Sequence, residues 1–127
     1  MGEIYSFRED FQSTVDSETL DRSEEDAERA LLCKFCSNRI TLAASAIEVN
    51  DEHHHTFFNP AGIIYEIRCF SSAEGCVQYG PFSDEFSWFA GYSWRLCLCS
   101  SCSVHMGWYF SSGDLGFYGL ISKNLSS

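Results

Sequence analysis

Two Cys-x-x-Cys pairs give the sequence its clearest chemistry. Cys33 and Cys36 form the first pair, and Cys99 and Cys102 form the second pair, which begins 63 residues after the first ends. Two intervening residues let a tight turn direct both thiolates at one ion, and four thiolates arranged as a tetrahedron suit zinc. The sequence therefore predicts one structural Zn²⁺ ion with no open coordination position.

Two other interpretations of these pairs remain. A thioredoxin-like redox pair needs a βαβ context, which the sequence lacks, and disulfide pairing is the third interpretation. Three further thiols remain, and each is expected to be a buried small hydrophobe: Cys69, Cys76 and Cys97. A Cys69–Cys76 disulfide is the alternative for an exported protein. An odd number of free thiols beside a zinc site fits a reducing compartment, so we expect a cytoplasmic protein, with secretion as the alternative.

All three tryptophans of the chain lie within 21 positions, and they are the second chemical signal. Core packing is the usual fate of Trp. However, Trp88 and Trp94 flank a glycine-containing loop, and a metal at Cys99 and Cys102 would fix the strand that leads from Trp94 to Trp108. Three indoles held in this way would form an open box with apolar walls. Such a box suits a small flat or saturated ring, or a cation held by the π-faces.

The four histidines give weaker signals. Those at 53–55 are adjacent, and neighbouring side chains of an extended chain point to opposite faces, so they are predicted to lie in a solvated loop rather than at one ion. His105 is predicted to be a hydrogen-bonded structural residue. No nucleophile is paired with it by spacing, so we expect no enzymatic activity.

The elements that position these residues are short and β-like after residue 31. The stretches 61–70, 94–99, 106–110 and 117–121 alternate or are rich in branched and aromatic residues, and residues 111–114 form a loop. The sequence therefore predicts an all-β, mainly antiparallel domain, with the metal clamping the chain ends of a sheet structure.

The composition changes near residue 30. Residues 1–30 hold ten acids and three bases, a net charge of −7 out of the chain's −10, and only three of its 20 aromatic residues. We predict an acidic, flexible tail over 1–30 and one domain over 31–127, with a short helix at about 23–32. An acidic interaction arm is the alternative role of the tail. The acidic balance disfavours nucleic acid and anionic membranes as partners, and no apolar run predicts a membrane span or a signal peptide.

Five motifs together resemble the thalidomide-binding domain of cereblon, called the CULT domain, and in particular its single-domain bacterial members. They are the two cysteine pairs, the Phe-Asn-Pro-Ala-Gly at 58–62, the Glu-Phe-Ser-Trp-Phe-Ala-Gly-Tyr-Ser-Trp at 85–94, and the His-Met-Gly-Trp at 105–108 with Phe110. The resemblance covers residues 31–125.

This resemblance implies a β-tent fold of two antiparallel sheets pinned by the zinc. It implies a cyclic imide ligand such as glutarimide, or a peptide C-terminus cyclised from Asn or Gln. The implied ligand-binding residues are Asn59, Phe86, Ser87, Trp88, Trp94, Trp108 and Phe110. Vertebrate cereblon has His at the position of Phe86, and because the implied contact is made by the backbone, imide binding is expected to survive with a more apolar rim.

Two alternatives remain beside imide binding. An aromatic cage can also read methylated ammonium groups, and Asp84 and Glu85 lie next to the cage segment. Related zinc folds include methionine sulfoxide reductases, but the sequence has no matching Arg-His-Cys motif. Adaptor binding in cereblon resides in another domain, so no ligase adaptor is expected to bind this chain.

Overall fold

Short runs of branched and aromatic residues between turns form nine strands in the part of the chain that the structure, a computed structural model, describes, residues 29–127. These are β1 (Ala30–Cys33), β2 (Arg39–Leu42), β3 (His54–Phe58), β4 (Ile64–Phe70), β5 (Cys76–Ser83), β6 (Ser93–Cys99), β7 (His105–Ser112), β8 (Leu115–Ile121) and β9 (Leu125–Ser126). Two single 3₁₀ turns occur at Ala43–Ser45 and Ser122–Asn124. Within the described range, no helix is long and apolar enough to cross a membrane.

The strands form two sheets. The smaller has the order β2-β1-β9, and the larger has the order β3-β4-β8-β7-β6-β5. Pairing within the larger sheet is antiparallel throughout, and β1 also pairs antiparallel with β9. One compact unit, Ala30–Thr41 with Ser45–Ser127, contains nearly all of both sheets, and Leu42–Ala44 is not part of it. The predicted all-β fold with two antiparallel sheets is confirmed.

Side chains alternate across the larger sheet, so its two faces carry different cores. One face contributes to a metal-side core, whose buried members are Leu31, Cys33, Ile40, Phe70, Ala73, Cys97, Cys99, Met106 and Leu120. The other face contributes to a cavity-side core, whose buried members are Ile67, Cys69, Phe89, Trp108, Phe110, Phe117 and Ile121. Adjacent residues of one strand, such as Cys69 and Phe70, therefore lie in different cores.

The close approach of β7 to β8 depends on Gly107. A Cβ at this position would lie 2.1 Å from the carbonyl oxygen of Gly119 and 2.9 Å from the Cα of Leu120. The β6–β7 register also shifts here, because Gly107 faces Cys97 whereas His105 faces Leu98. This shift is a β-bulge, in which Met106 is one extra residue of β7 between His105 and Gly107.

Two local expectations were wrong. The helix expected at about 23–32 does not extend over residues 30–32, which form strand β1 and pair with the C-terminal strand β9, while residues 23–28 lie outside the described range. His54 and His55 do not lie in a loop, because β3 begins at His54 and pairs with β4, whereas His53 lies in the bend before it. His53 is half-buried: its Nδ1 donates to the carbonyl of Ile47 at 3.0 Å, and its Nε2 accepts from Arg68 Nε at 3.2 Å.

Candidate metal centre and aromatic cavity

The four cysteines of the two pairs converge on one point. Their sulfur atoms all lie within 4.8 Å of one another, with Sγ of Cys33 at 3.7 Å from Sγ of Cys102 and Sγ of Cys36 at 3.6 Å from Sγ of Cys99. A tetrahedral ion with metal–sulfur bonds of about 2.3 Å requires sulfur–sulfur distances of about 3.8 Å. The cluster can therefore hold a metal ion, as predicted from the spacing.

The two pairs reach this geometry through the same backbone turn. Each begins at the last residue of a strand, Cys33 of β1 or Cys99 of β6. The residue four positions later, Ser37 or Ser103, has a positive φ of 68° or 69° and donates its N–H to the carbonyl of that first cysteine. This turn bends the chain back, so that both sulfurs of a pair point to the same side.

Hydrogen bonds to sulfur shift the pKa values of two cysteines of the cluster in opposite directions. Burial opposes ionisation of Cys99, but N–H donors, including the Ser101 amide at 3.4 Å and Asn38 Nδ2 at 3.6 Å, outweigh it and lower its pKa to about 6. The Val104 amide lowers the pKa of Cys102, but the neighbouring cysteine thiols prevail and raise it to about 12. Four thiolates this close repel one another, and a bound divalent cation would compensate that repulsion.

The remaining three cysteines stay outside the cluster. All seven cysteines are free, and Cys69 and Cys97 are buried, as expected for small hydrophobes. Burial raises the pKa of Cys69 to about 12. Cys69 belongs to the cavity-side core, whereas Cys76 packs against the metal-side core, so the alternative Cys69–Cys76 disulfide is not formed.

A cavity of about 460 Å³ lies on the other face of the larger sheet. Aromatic rings form most of its walls, with a few polar groups among them. Its lining residues are Asn59, Pro60, Tyr65, Ser83, Glu85, Phe86, Trp88, Trp94, Leu96, His105, Trp108 and Phe110. The three tryptophans predicted to form a box therefore line one cavity.

The walls stand at steep angles to one another. The rings of Trp88 and Trp108 are 4.7 Å apart at 72°, and those of Tyr65 and Trp108 are 5.0 Å apart at 83°. Two indole N–H groups are tied to the protein backbone: Trp88 Nε1 donates to the carbonyl of Phe58 at 3.0 Å, and Trp94 Nε1 donates to that of Glu85 at 2.8 Å. These bonds occupy both indole N–H groups and restrain the ring planes.

Strand register and one loop bring the walls together. Trp94 of β6 pairs with Phe110 of β7, and Leu96 pairs with Trp108, so these four side chains share one face. The loop between β5 and β6 supplies the opposite wall. It is anchored by Phe89, which is 2% exposed and packs edge-on against Phe110.

Phe86 stands at the edge of the cavity in an unusual conformation. Its side chain is 71% exposed and its φ is +55°, a left-handed backbone that costs a non-glycine residue about 1–2 kcal/mol. Within the described residues, the Phe86 carbonyl and the Trp88 amide have no hydrogen-bond partner. The strained loop thus leaves one backbone acceptor and one backbone donor beside the cavity.

The polar lining includes one histidine. His105 Nε2 lies 3.1 Å from the carbonyl oxygen of Gly107, which can only accept, so Nε2 carries the proton. Burial lowers the pKa of His105, which favours the neutral ring. The expected hydrogen-bonded histidine is confirmed, and it also packs edge-on against Trp108 at 4.8 Å.

The structure places six of the seven predicted ligand-binding residues in the lining of the cavity: Asn59, Phe86, Trp88, Trp94, Trp108 and Phe110. Ser87 is not among the lining residues, and its hydroxyl donates to the carbonyl of Phe89 at 3.1 Å. Sequence reasoning did not assign Tyr65 or His105 to the site. The only sequence signal for Tyr65 was its two-residue spacing from buried Ile67 on β4.

The fold and the two sites together define the class of this protein. It is an all-β domain of two antiparallel sheets, with a four-cysteine cluster that can hold a metal ion and an aromatic cavity on the opposite face of the larger sheet.

Comparison with curated proteins points to one group of relatives. Protein cereblon of Drosophila melanogaster is 33% identical over 90 residues, which are 67% of this chain and 15% of that protein. Protein cereblon of Drosophila persimilis is 31% identical over 108 residues, which are 77% of this chain and 17% of that protein. No family model matches the chain. The chain therefore carries a cereblon-like domain, and it spans about a sixth of the length of these relatives.

Proposed function

We propose that this domain binds cyclic imides, such as glutarimide and thalidomide-type ligands, in the aromatic cavity. The observation that carries the proposal is the convergence of Trp88, Trp94 and Trp108 on one cavity, beside a backbone acceptor and a backbone donor that have no partner among residues 29–127. A peptide C-terminus cyclised from Asn or Gln presents the same ring and is included in the proposed class.

The chemistry of an imide matches the cavity group by group. An imide ring carries one N–H donor between two carbonyl acceptors, and its other edge is made of CH₂ groups. The Phe86 carbonyl and the Trp88 amide can pair with the polar edge, and the indole faces can cover the methylenes. The ligand is neutral, so no buried counter-charge is needed. At roughly 0.3 kcal/mol per atom, a ligand of about 19 heavy atoms binds with a Kd of tens of micromolar.

We propose that the metal of the four-cysteine cluster is a single structural Zn²⁺. The all-sulfur, tetrahedral donor set suits zinc, and it leaves no position for a substrate or a water. Cys33, Cys36, Cys99 and Cys102 would hold the ion, which would join the end of β1 to the end of β6. The domain is accordingly proposed to be a binding module and not an enzyme, in a reducing, cytoplasmic setting and without a ligase adaptor.

A second candidate function is supported by one lining residue. Glu85 lies in the cavity wall, and a carboxylate beside aromatic faces can also recognise a methylated ammonium group. The two candidates differ in ligand charge. A neutral ring needs only the backbone pair, whereas a cation would depend on the Glu85 carboxylate.

Calorimetric titration of the metal-loaded protein separates these candidates. We expect glutarimide to bind and choline not to bind. Trp94→Ala should weaken the affinity for glutarimide at least tenfold, whereas Glu85→Gln should change that affinity by no more than twofold. Leu115→Ala, at a residue that is 65% exposed and outside the cavity lining, is the matched control and should bind like the unmodified protein. Binding of choline but not glutarimide, with loss in Glu85→Gln, would refute imide recognition.

A further inference from the structure

Among residues 29–127, strand β5 forms one edge of the larger sheet and pairs only with β6. Residues 76–79 pair without interruption with residues 96–99, and the register then shifts before Ser83. Gly80 and Pro81 fall in this irregular part, and Pro81 has no N–H to donate. The open edge suited to further pairing is therefore residues 76–79.

The side chains of this edge are apolar and exposed. Val77 is 47% exposed and Tyr79 is 60% exposed, and the two residues lie on the same face of the strand. Between them, Gln78 points to the other face, where its Nε2 donates to the hydroxyl of Tyr118 at 3.2 Å. No residue of β5 is charged, although charged side chains are a common protection of open edges.

Acidic residues flank the edge at both ends. Glu74 precedes β5, Asp84 and Glu85 follow it, and all three are exposed. Pairing of two β5 edges, in either direction, would bring acids of one copy against acids of the other, on chains that each carry a net charge of −10. Arg95 of the neighbouring strand β6 does not offset these acids freely, because its guanidinium lies over Phe82 and its Nη1 donates to Gln78.

We propose that the outer edge of β5 binds an extended segment of a basic partner protein, which adds to the larger sheet as a further strand. Main-chain hydrogen bonds to the outward-facing groups of residues 76–79 would supply affinity, except at the Cys76 N–H, which already donates to the Ala73 carbonyl at 3.1 Å. Apolar side chains at alternate positions of the segment would cover Val77 and Tyr79, and basic residues beyond its ends would face Glu74 and Asp84. Glu74, residues 76–79 and Asp84 lie outside the cavity lining, so binding of this segment does not depend on the cavity ligand.

The test measures fluorescence anisotropy of a labelled nine-residue peptide that has arginine at both ends and alternating valine and threonine between them. We expect this peptide to bind the metal-loaded protein at least tenfold more tightly than the same peptide with glutamate ends. Methylation of its alternate backbone nitrogens should weaken binding at least tenfold, because a methylated nitrogen cannot join the strand ladder.

Variants locate the binding site. Tyr79→Lys should weaken binding of the arginine peptide at least tenfold, whereas Leu115→Lys, which adds the same charge at another exposed apolar position, should stay within twofold. Failure of the arginine peptide to bind, equal binding of the arginine and glutamate peptides, or equal loss in both variants would overturn the proposal. Sedimentation that shows a dimer dispersed by Tyr79→Lys would also overturn it, in favour of a second copy as the occupant.

Discussion

Replacing Gly107 by Ala should destabilise the domain more than any ordinary surface change. The added Cβ would stand 2.1 Å from the Gly119 carbonyl oxygen, whereas ordinary contact begins near 3.4 Å, so β8 would have to recede by about 1.3 Å. Ladder hydrogen bonds of about 2.9 Å would then exceed their working range. Two lost bonds at about 1 kcal/mol each, with overpacking of about 1–3 kcal/mol, give a loss of about 3–5 kcal/mol.

Urea denaturation followed by circular dichroism, with the metal concentration held constant, measures this loss. A decrease of about 3 kcal/mol corresponds to a Tm lower by about 12 °C or more for a domain of this size. The matched control is Gly113→Ala, where φ is +62° but nothing lies within 4 Å of the new Cβ, so only about 1 kcal/mol should be lost. If Gly107→Ala is no less stable than Gly113→Ala, the argument from close strand approach is wrong.

Three further predictions concern the metal, one histidine and one wall of the cavity. Cys102→Ser should lose bound metal and most of the roughly 10 kcal/mol that zinc can add to folding, whereas Cys76→Ser keeps one metal per chain in native mass spectrometry. Burial lowers the pKa of His53 below 6.5, so the unfolded chain binds more protons, and the free energy of unfolding should fall as the pH drops below about 6.5. In denaturation at several pH values, His53→Gln should reduce that slope by up to about 1.4 kcal/mol per pH unit, and an unchanged slope would contradict this assignment. Trp88→Phe removes the hydrogen bond to the Phe58 carbonyl together with part of the indole ring, and it should cost about 2–3 kcal/mol in urea denaturation, while a loss below about 0.5 kcal/mol would show that Trp88 does not hold this wall in place.

Local signals were sufficient for the metal cluster and for most strands of the larger sheet. The spacing of Cys33 and Cys36 already demands a turn that directs both sulfurs to one side, and the structure contains that turn. Runs such as 94–99 alternate because one face of the strand is buried at Cys97 and Cys99. Both signals arise from residues close together in sequence, where pattern and structure are directly coupled.

Elements that depend on distant partners were not predicted. Strand β9 has only two residues and exists because Leu125 pairs with Cys33. Strand β5 lacks alternation, since most of its residues are exposed at an edge and it contains Gly80 and Pro81. The alternation of β4 places Tyr65 on the same face as Ile67, but its position in the cavity depends on the loop between β5 and β6, which is distant in sequence.

The placement of the tryptophans has an optical consequence. The chain has only three, and all of them line the one cavity. Indole emission from this chain therefore originates at a single location. A change in the polarity or occupancy of the cavity alters the entire signal, so the unlabelled protein serves as its own sensor for any compound that enters it.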